Sequence, residues 1–193
     1  LAETPQPSAG RVVMAGAHVD SVPEGPGING NGSGVAALLE LAKALGGKAP
    51  GARIRLGFWG AEEPGLFGST YYVGQLSAAA KAEIAAYVNL DVIGSRRPKR
   101  AVYSGGDAAI ESLLRDLVGP KAVAEDQAKA SSDHVPFQAA GIPIGGLFTG
   151  AGKPWDACYH RACDRVSNVN LNVLVQLTRV TGQALTRLSR QAK

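Results

Sequence analysis

Arg11-Val-Val-Met-Ala-Gly-Ala17 decides the fold. The run is apolar almost throughout, is too short for a typical helix, and ends against His18-Val-Asp20, so it reads as a buried strand. Outward from it, apolar runs alternate with amphipathic stretches, the signature of a mostly parallel sheet covered by helices. Gly34 to Leu45 sets Val35, Leu38, Leu39, Ala42 and Leu45 at helical spacing, and Gly46-Gly47 ends that helix. Ile54-Arg-Leu-Gly-Phe-Trp59 is the next strand, and Ala86-Tyr-Val-Asn-Leu90 another that stops at Asp91. Asp107 caps a helix reaching Val118, with Ile110, Leu113, Leu114 and Leu117 inward. Pro143-Ile-Gly-Gly-Leu-Phe148 is a short strand, and Leu171 to Leu188 a closing amphipathic helix. With no repeat, low-complexity tract or long linker, residues 1–193 read as one α/β domain.

Composition agrees. The 193 residues are 45% hydrophobic, enough for one well-buried core. No run of 18 apolar residues occurs, so no membrane-spanning helix is expected. The opening LAETPQPSAG lacks the basic and apolar regions of a signal peptide, and a chain that begins without Met is expected to be processed or a fragment. The formal charge of +4 is too small to argue for a partner. Its densest basic cluster, Arg96-Arg-Pro-Lys-Arg100, reads as a solvated hairpin tip rather than a nucleic-acid patch. Neither a nucleic acid nor a membrane is expected as a partner.

Both cysteines lie in Cys158-Tyr-His-Arg-Ala-Cys163. A local disulfide, a thiolate metal site and two unrelated thiols all compete. One pair with an enclosed His is incomplete as a thiolate zinc site. A disulfide bracing the loop is the preferred reading, and it implies an oxidising compartment.

The candidate chemistry gathers where the strands stop, which is where ligand sites form in open parallel sheets. His18 follows the first strand, and Asp20 is placed to hold the far ring nitrogen. Glu62-Glu63 follows Phe58-Trp-Gly-Ala61. Partly desolvated by Trp59 and Phe67, one of the two acids can bind a metal while the other acts as a base. Asp91, at the end of an apolar strand, needs a cation or strong donors.

Six segments occur in one order: Ala-Gly-Ala-His18-Val-Asp20-Ser-Val, Gly27-Ile-Asn-Gly-Asn-Gly-Ser-Gly34, Trp59-Gly-Ala-Glu-Glu63, Asn89-Leu-Asp91-Val-Ile-Gly94, Ser132-Asp-His-Val-Pro-Phe137 and Cys158-Tyr-His160. Together they resemble the M28 metallopeptidases, in particular the secreted bacterial aminopeptidases of the Streptomyces type, from about Arg11 to the C-terminus. The resemblance implies a three-layer α/β/α sandwich around a mostly parallel, mixed sheet, with the family's N-terminal edge elements missing. It implies two zinc ions, one held by His18 and Asp91 and the other by Glu63 and His160. Glu62 is implied as general base, Tyr159 as oxyanion stabiliser and Asp20 as the partner of His18. Cys158 and Cys163 are implied as a disulfide. Peptides with a free, apolar N-terminal residue are the implied substrates, bound in a side pocket lined by Val92, Phe148 and Tyr159. The resemblance further implies a secreted protein, expected as a monomer. Asp133-His134 is read as shaping the pocket, with His134 structural.

The pattern breaks at one decisive place. Relatives carry Asp, bridging both zincs, where this chain has Gly30. Each metal then keeps two protein ligands where catalytic zinc normally has three. Glycine is also expected to loosen the loop. Further departures are Ser131 in place of a substrate-contacting Arg, a short Thr149–Cys158 stretch, and an N-terminal sheet edge expected to stand exposed or to pair with another chain. Weak or single-ion zinc binding with reduced peptidase activity is therefore expected. The alternatives are a peptide-binding domain without turnover and a single-zinc enzyme resembling glutaminyl cyclases.

Overall fold

The computed structural model describes residues 1–5, 10–47, 51–126 and 131–192. In chain order the first half comprises β1 (Ala2–Glu3), β2 (Val12–His18), α1 (Gly32–Leu45), β3 (Arg53–Trp59), α2 (Phe67–Gln75), α3 (Ala78–Glu83) and β4 (Ile84–Leu90). The second half comprises β5 (Arg100–Ser104), α4 (Ala108–Val118), β6 (Ala122–Asp126), α5 (His134–Ala139), β7 (Ile144–Phe148) and α6 (Leu171–Gln191).

Every residue of β2 is buried, as the opening run demanded. Strand alternation sends Val13, Ala15 and Ala17 into one core cluster and Val12 and Met14 into the other. The first cluster is covered by α1, α4 and α6, through residues such as Leu38, Leu114, Leu177 and Leu185. The second is an aromatic layer in which Tyr87, Trp59 and Phe137 meet Val73 of α2, with Tyr87 stacked on Phe137 at 3.8 Å. Each fully buried large apolar side chain contributes about 1.5–3 kcal/mol. A three-layer α/β/α sandwich results.

The seven strands run in the order β1-β3-β2-β4-β7-β5-β6. β2 is parallel to both β3 and β4, β4 is parallel to β7, and β5 is antiparallel to β7. The sheet is thus mixed and mostly parallel. Its edge beyond β3 is not bare: β1 pairs antiparallel with it, Ala2 against Leu56 and Glu3 against Arg55. The basic stretch 96–100 is not a hairpin tip either, because β7 stands between β4 and β5. It belongs to the connection past β7, where Lys99 ion-pairs with Glu125 and Arg100 donates to Gln176.

Helix ends follow the sequence. The Asn31 side chain caps α1 by accepting from Gly34 N, so the helix starts two residues earlier than its apolar spacing indicated. Asp107 caps α4 by accepting from the amides of Ala109 and Ile110. Among the described residues no helix is long and apolar enough to cross a membrane.

Candidate metal centre

Because β3, β2 and β4 are adjacent and parallel, their carboxyl ends lie level, with His18 paired in register to Trp59 and Gly16 to Asn89. That alignment brings His18, the Glu62-Glu63 pair and Asp91 together from distant positions in the chain. They line a cavity of about 220 Å³ with Gly30, Tyr159, Ser131, Gly65 and Leu66. A larger groove of about 850 Å³ between α1 and α6 contains none of these groups.

His18 is almost fully buried. Its Nδ1 donates to the main-chain oxygen of Asp20 at 3.0 Å, which turns Nε2 toward Asp91 Oδ1 at 3.3 Å and Glu62 Oε2 at 3.9 Å. The expected role of Asp20 is therefore corrected. Its backbone carbonyl orients His18, while its carboxylate lies 3.6 Å from Nδ1 and accepts the amides of Glu62 at 3.0 Å and Glu63 at 3.2 Å. Asp20 is a clamp on the acidic pair as well as a partner of the histidine.

On the outer side, His160 Nε2 stands 3.0 Å from Glu63 Oε1 yet, though shielded from solvent, forms no hydrogen bond. Two such atoms at close range without a hydrogen bond between them could share a cation. His18 Nε2 and carboxylate oxygens of Glu62 and Glu63 also lie within 4.8 Å of one another. Donor type and placement fit zinc, which takes His nitrogen and carboxylate oxygen.

The charges respond accordingly. Burial works against a charged His18, but the hydrogen bond and charge of Asp91, with Glu62 behind it, lift its pKa to about 10. Burial, followed by repulsion from Asp91, pushes Glu62 up to about 8. Glu63 is also raised, first by burial. Burial opposes ionisation of Asp91, yet its hydrogen bond to His18 and the imidazolium charge hold its pKa below the usual carboxylate range. Tyr159 is pushed above its ordinary range by burial and the surrounding carboxylates, so its phenol stays protonated. Phe67, expected to help desolvate the acids, is itself 61% exposed, whereas Trp59 is buried.

Backbone strain collects at the same place. Ala61, Leu66, Val92 and His160 all have positive φ, between 48° and 58°, which costs about 1–3 kcal/mol each in residues other than glycine. Val92 is the most restricted of them, being β-branched. It is held by Asn31 Oδ1, which accepts its amide at 3.2 Å, and by the Thr149 amide, which donates to its oxygen at 2.9 Å. It is buried under the Gly30 wall and is absent from the cavity lining, as is Phe148, whose ring lies 5.1 Å from Lys99 Nζ.

Cys158 and Cys163 form a disulfide, with Cα atoms 5.3 Å apart, and this removes the thiolate reading. The loop it closes carries Tyr159 stacked on His160 at 3.7 Å. The loop around position 30 is tied down by hydrogen bonds: Gly30 N and Asn29 N both donate to the buried Asp164 carboxylate, at 3.1 and 3.0 Å. A side chain would fit there. A Cβ on Gly30 meets Tyr159 at 3.4 Å and Val92 at 3.5 Å, which is van der Waals contact.

His134 is fully buried against Tyr103, with neither ring nitrogen hydrogen-bonded, and burial lowers its pKa to about 4. Neighbouring Asp133 is buried too, and burial raises it to about 7. Sequence reasoning passed over Asn29, Asp156 and Asp164. The polar Gly27–Gly34 loop was the only signal for the first, and nothing marked the other two.

A model of peptidase family M28 matches residues 1–185. Leupeptin-inactivating enzyme 1 of Streptomyces exfoliatus is 44% identical over 191 residues, covering 88% of this chain and 43% of its own. An aminopeptidase of Pseudomonas aeruginosa is 41% identical, covering 90% of this chain and 38% of its own. Among solved structures, a zinc aminopeptidase from Bacillus subtilis superposes with a TM-score of 0.83 at 30% identity, covering 92% of this chain and 46% of its own. The chain thus spans less than half the length of these relatives.

Proposed function

The chain belongs to peptidase family M28, and on that premise we propose that it removes N-terminal, apolar residues from peptides outside the cytoplasm. The observation that carries this reading is the strand-end cavity of about 220 Å³, lined by His18 and three carboxylates, with His160 set against one of them, Glu63, at 3.0 Å. In this reading His18 and Asp91 hold one zinc ion, and Glu63 and His160 the other. Zinc bound there supplies Lewis acidity, polarising the scissile carbonyl and making water acidic.

The protein's own groups do the rest. Glu62 takes the proton of the attacking water and passes it to the leaving amine; burial and Asp91 raise its pKa to about 8 in the metal-free protein, and a cation bound beside it would lower that value and free the carboxylate to act as base. Asp20, by holding the amides of Glu62 and Glu63, keeps both carboxylates aimed inward. Tyr159, protonated at neutral pH, donates to the oxyanion that develops on the substrate carbonyl. The disulfide fits an oxidising compartment and so a secreted protein.

Gly30 limits the activity. Each ion has two protein ligands, one short of the usual three, so binding is weak or confined to one ion and turnover is reduced. Metal analysis and leucine-anilide hydrolysis test this directly. The expected result is fewer than two tightly held zinc ions with slow turnover, both improved by Gly30→Asp, whose Cβ would meet only van der Waals contacts. Two tightly held ions with turnover that Gly30→Asp fails to raise would sink it.

A further inference from the structure

Behind the cavity wall lies a polar knot that the chemistry above does not use. Asn29 is fully buried, and so are Asp156, Asp164 and Ser95. Asn29 N donates to Asp164 at 3.0 Å, and its side-chain Nδ2 donates to Asp156 Oδ2 at 2.5 Å and to Ser95 Oγ at 3.2 Å. Its Oδ1 accepts Gly94 N at 2.9 Å, and its main-chain oxygen accepts Ser33 Oγ at 2.6 Å. The amide can therefore sit only one way round, since a flip would set donor against donor at Gly94 N and leave Asp156 facing an oxygen.

The two aspartates frame the disulfide loop, Asp156 two residues before Cys158 and Asp164 directly after Cys163. Asp156 Oδ1 accepts Cys158 N at 2.9 Å and Asn168 Nδ2 at 2.9 Å, and Asn168 Nδ2 also reaches Asp164 at 3.1 Å. Three connections that are separate in sequence, at 27–31, 94–95 and 156–168, thus meet on one buried amide.

We propose that Asn29 is a positioning residue: gripped by Asp156 and Asp164, it fixes the Tyr159–His160 loop opposite Gly30 and Glu63, and so sets the geometry of the outer metal ligands. The inference rests on the metal-centre reading above. Position 160 has positive φ and its ring is 32% exposed, so packing alone does not hold it. The disulfide closes the loop on itself but does not attach it to the sheet. The Asn29 knot does, because its other bonds run to Ser33 in α1 and to Gly94 and Ser95 beyond β4.

The pair Asn29–Asp156 allows a test by exchange. Asn29→Asp sets two carboxylates against each other, and Asp156→Asn leaves an amide donor facing a donor, at Asn29 Nδ2 or, if the new amide flips, at Cys158 N and Asn168 Nδ2. The combined Asn29→Asp, Asp156→Asn protein restores one donor facing one acceptor, and the remaining partners of both positions still find an acceptor or a hydroxyl. Zinc affinity is read by chelator competition, and the melting point of the metal-free protein is read alongside. Each single change is expected to weaken zinc binding about 10–100-fold, as loss of a ligand's supporting contacts does, and the exchange to return it near the unaltered value. Single variants that melt lower but bind zinc as before would overturn the inference, as would an exchange whose loss equals the sum of the two. If Asn29→Asp does not fold, Asp156→Asn and the exchange decide in the same way. An unaltered chain that takes up no zinc overturns the metal-centre reading and this inference with it, whereas normal uptake in every variant overturns the inference alone.

Discussion

The two halves of the proposed metal centre are held by different physics. His18 and Asp91 stand at the ends of β2 and β4 in the middle of the sheet, 3% and 16% exposed, and the strand register alone sets them side by side. Glu63, Tyr159 and His160 ride on loops. They are kept in place by the Asp20 clamp, the disulfide and the Asn29 knot, with positive φ at Ala61, Leu66 and His160 as the conformational cost. The lesson is that half of this site comes with the fold and half depends on side chains whose only task is support. Damage to the first half should reach the whole protein, and damage to the second should stay local.

Breaking the strand half gives the largest expected effect. Asp91→Ala leaves His18 buried beside Glu62 without its closest counter-charge, and should abolish zinc uptake at that pair. It should also cost about 3–5 kcal/mol of stability in the metal-free protein, as breaking a buried pair does. Urea unfolding measures this, and a midpoint unchanged from the parent would contradict it.

Glu62→Gln sharpens the comparison by touching the chemistry and not the frame. Turnover should fall about 10²–10⁴-fold with KM nearly constant. A matched rise in KM would instead assign Glu62 to substrate or metal binding.

Opening the loop half is milder. Replacing Cys158 and Cys163 together by Ser frees a loop whose ends are five residues apart, worth about 2 kcal/mol on chain-entropy grounds. Activity should fall by more than the shift in melting point explains, because His160 loses its frame. Equal losses at both readouts would show that the loop has no special tie to the site.

The smallest effect is a pH slope. In metal-free protein His18 is raised to about 10 from 6.5, so its stabilisation is complete below about pH 6 and fades as pH climbs through 10. Glu62, raised to about 8 from 4.5, holds a proton that the unfolded chain has already released, so its contribution too fades between pH 4.5 and 8. Asp91 has the opposite sign, but its loss lies below pH 4 and outside this window; His134, lowered to about 4 from 6.5, opposes the trend up to about pH 6.5, where Asp133, raised to about 7 from 3.8, offsets it. Stability should therefore fall steadily from pH 5 to 10 in urea titrations with chelator present, and zinc should flatten the slope. A stability maximum near pH 9 without metal would break the account.

Much of this was legible beforehand, because strand-end acids and histidines follow from periodicity alone. β2, β3, β4 and β7 announce themselves as apolar runs; His18 ends β2, Asp91 directly follows β4, and Glu62 and Glu63 come three and four residues after β3. The short elements were not legible. β5 and β6 are five residues each, β6 is mostly exposed, and α5 contains Pro136, so none carries a clear period.

By itself, then, the sequence determined a mostly parallel sheet covered by helices and the strand-end position of His18, Glu62, Glu63 and Asp91, which depend on local periodicity and on residue type. The six ordered segments, through the family they resemble, added His160, the disulfide pair and the departure at Gly30. Only the tertiary structure decided that Asp20 clamps the glutamate backbone, that Gly30 sits in a loop tied down by Asp164, and that Asn29 ties three connections together. Such contacts join residues 42 to 135 positions apart. Their strength comes from burial, where a polar group without a partner costs several kcal/mol, and burial is a property of the folded chain alone.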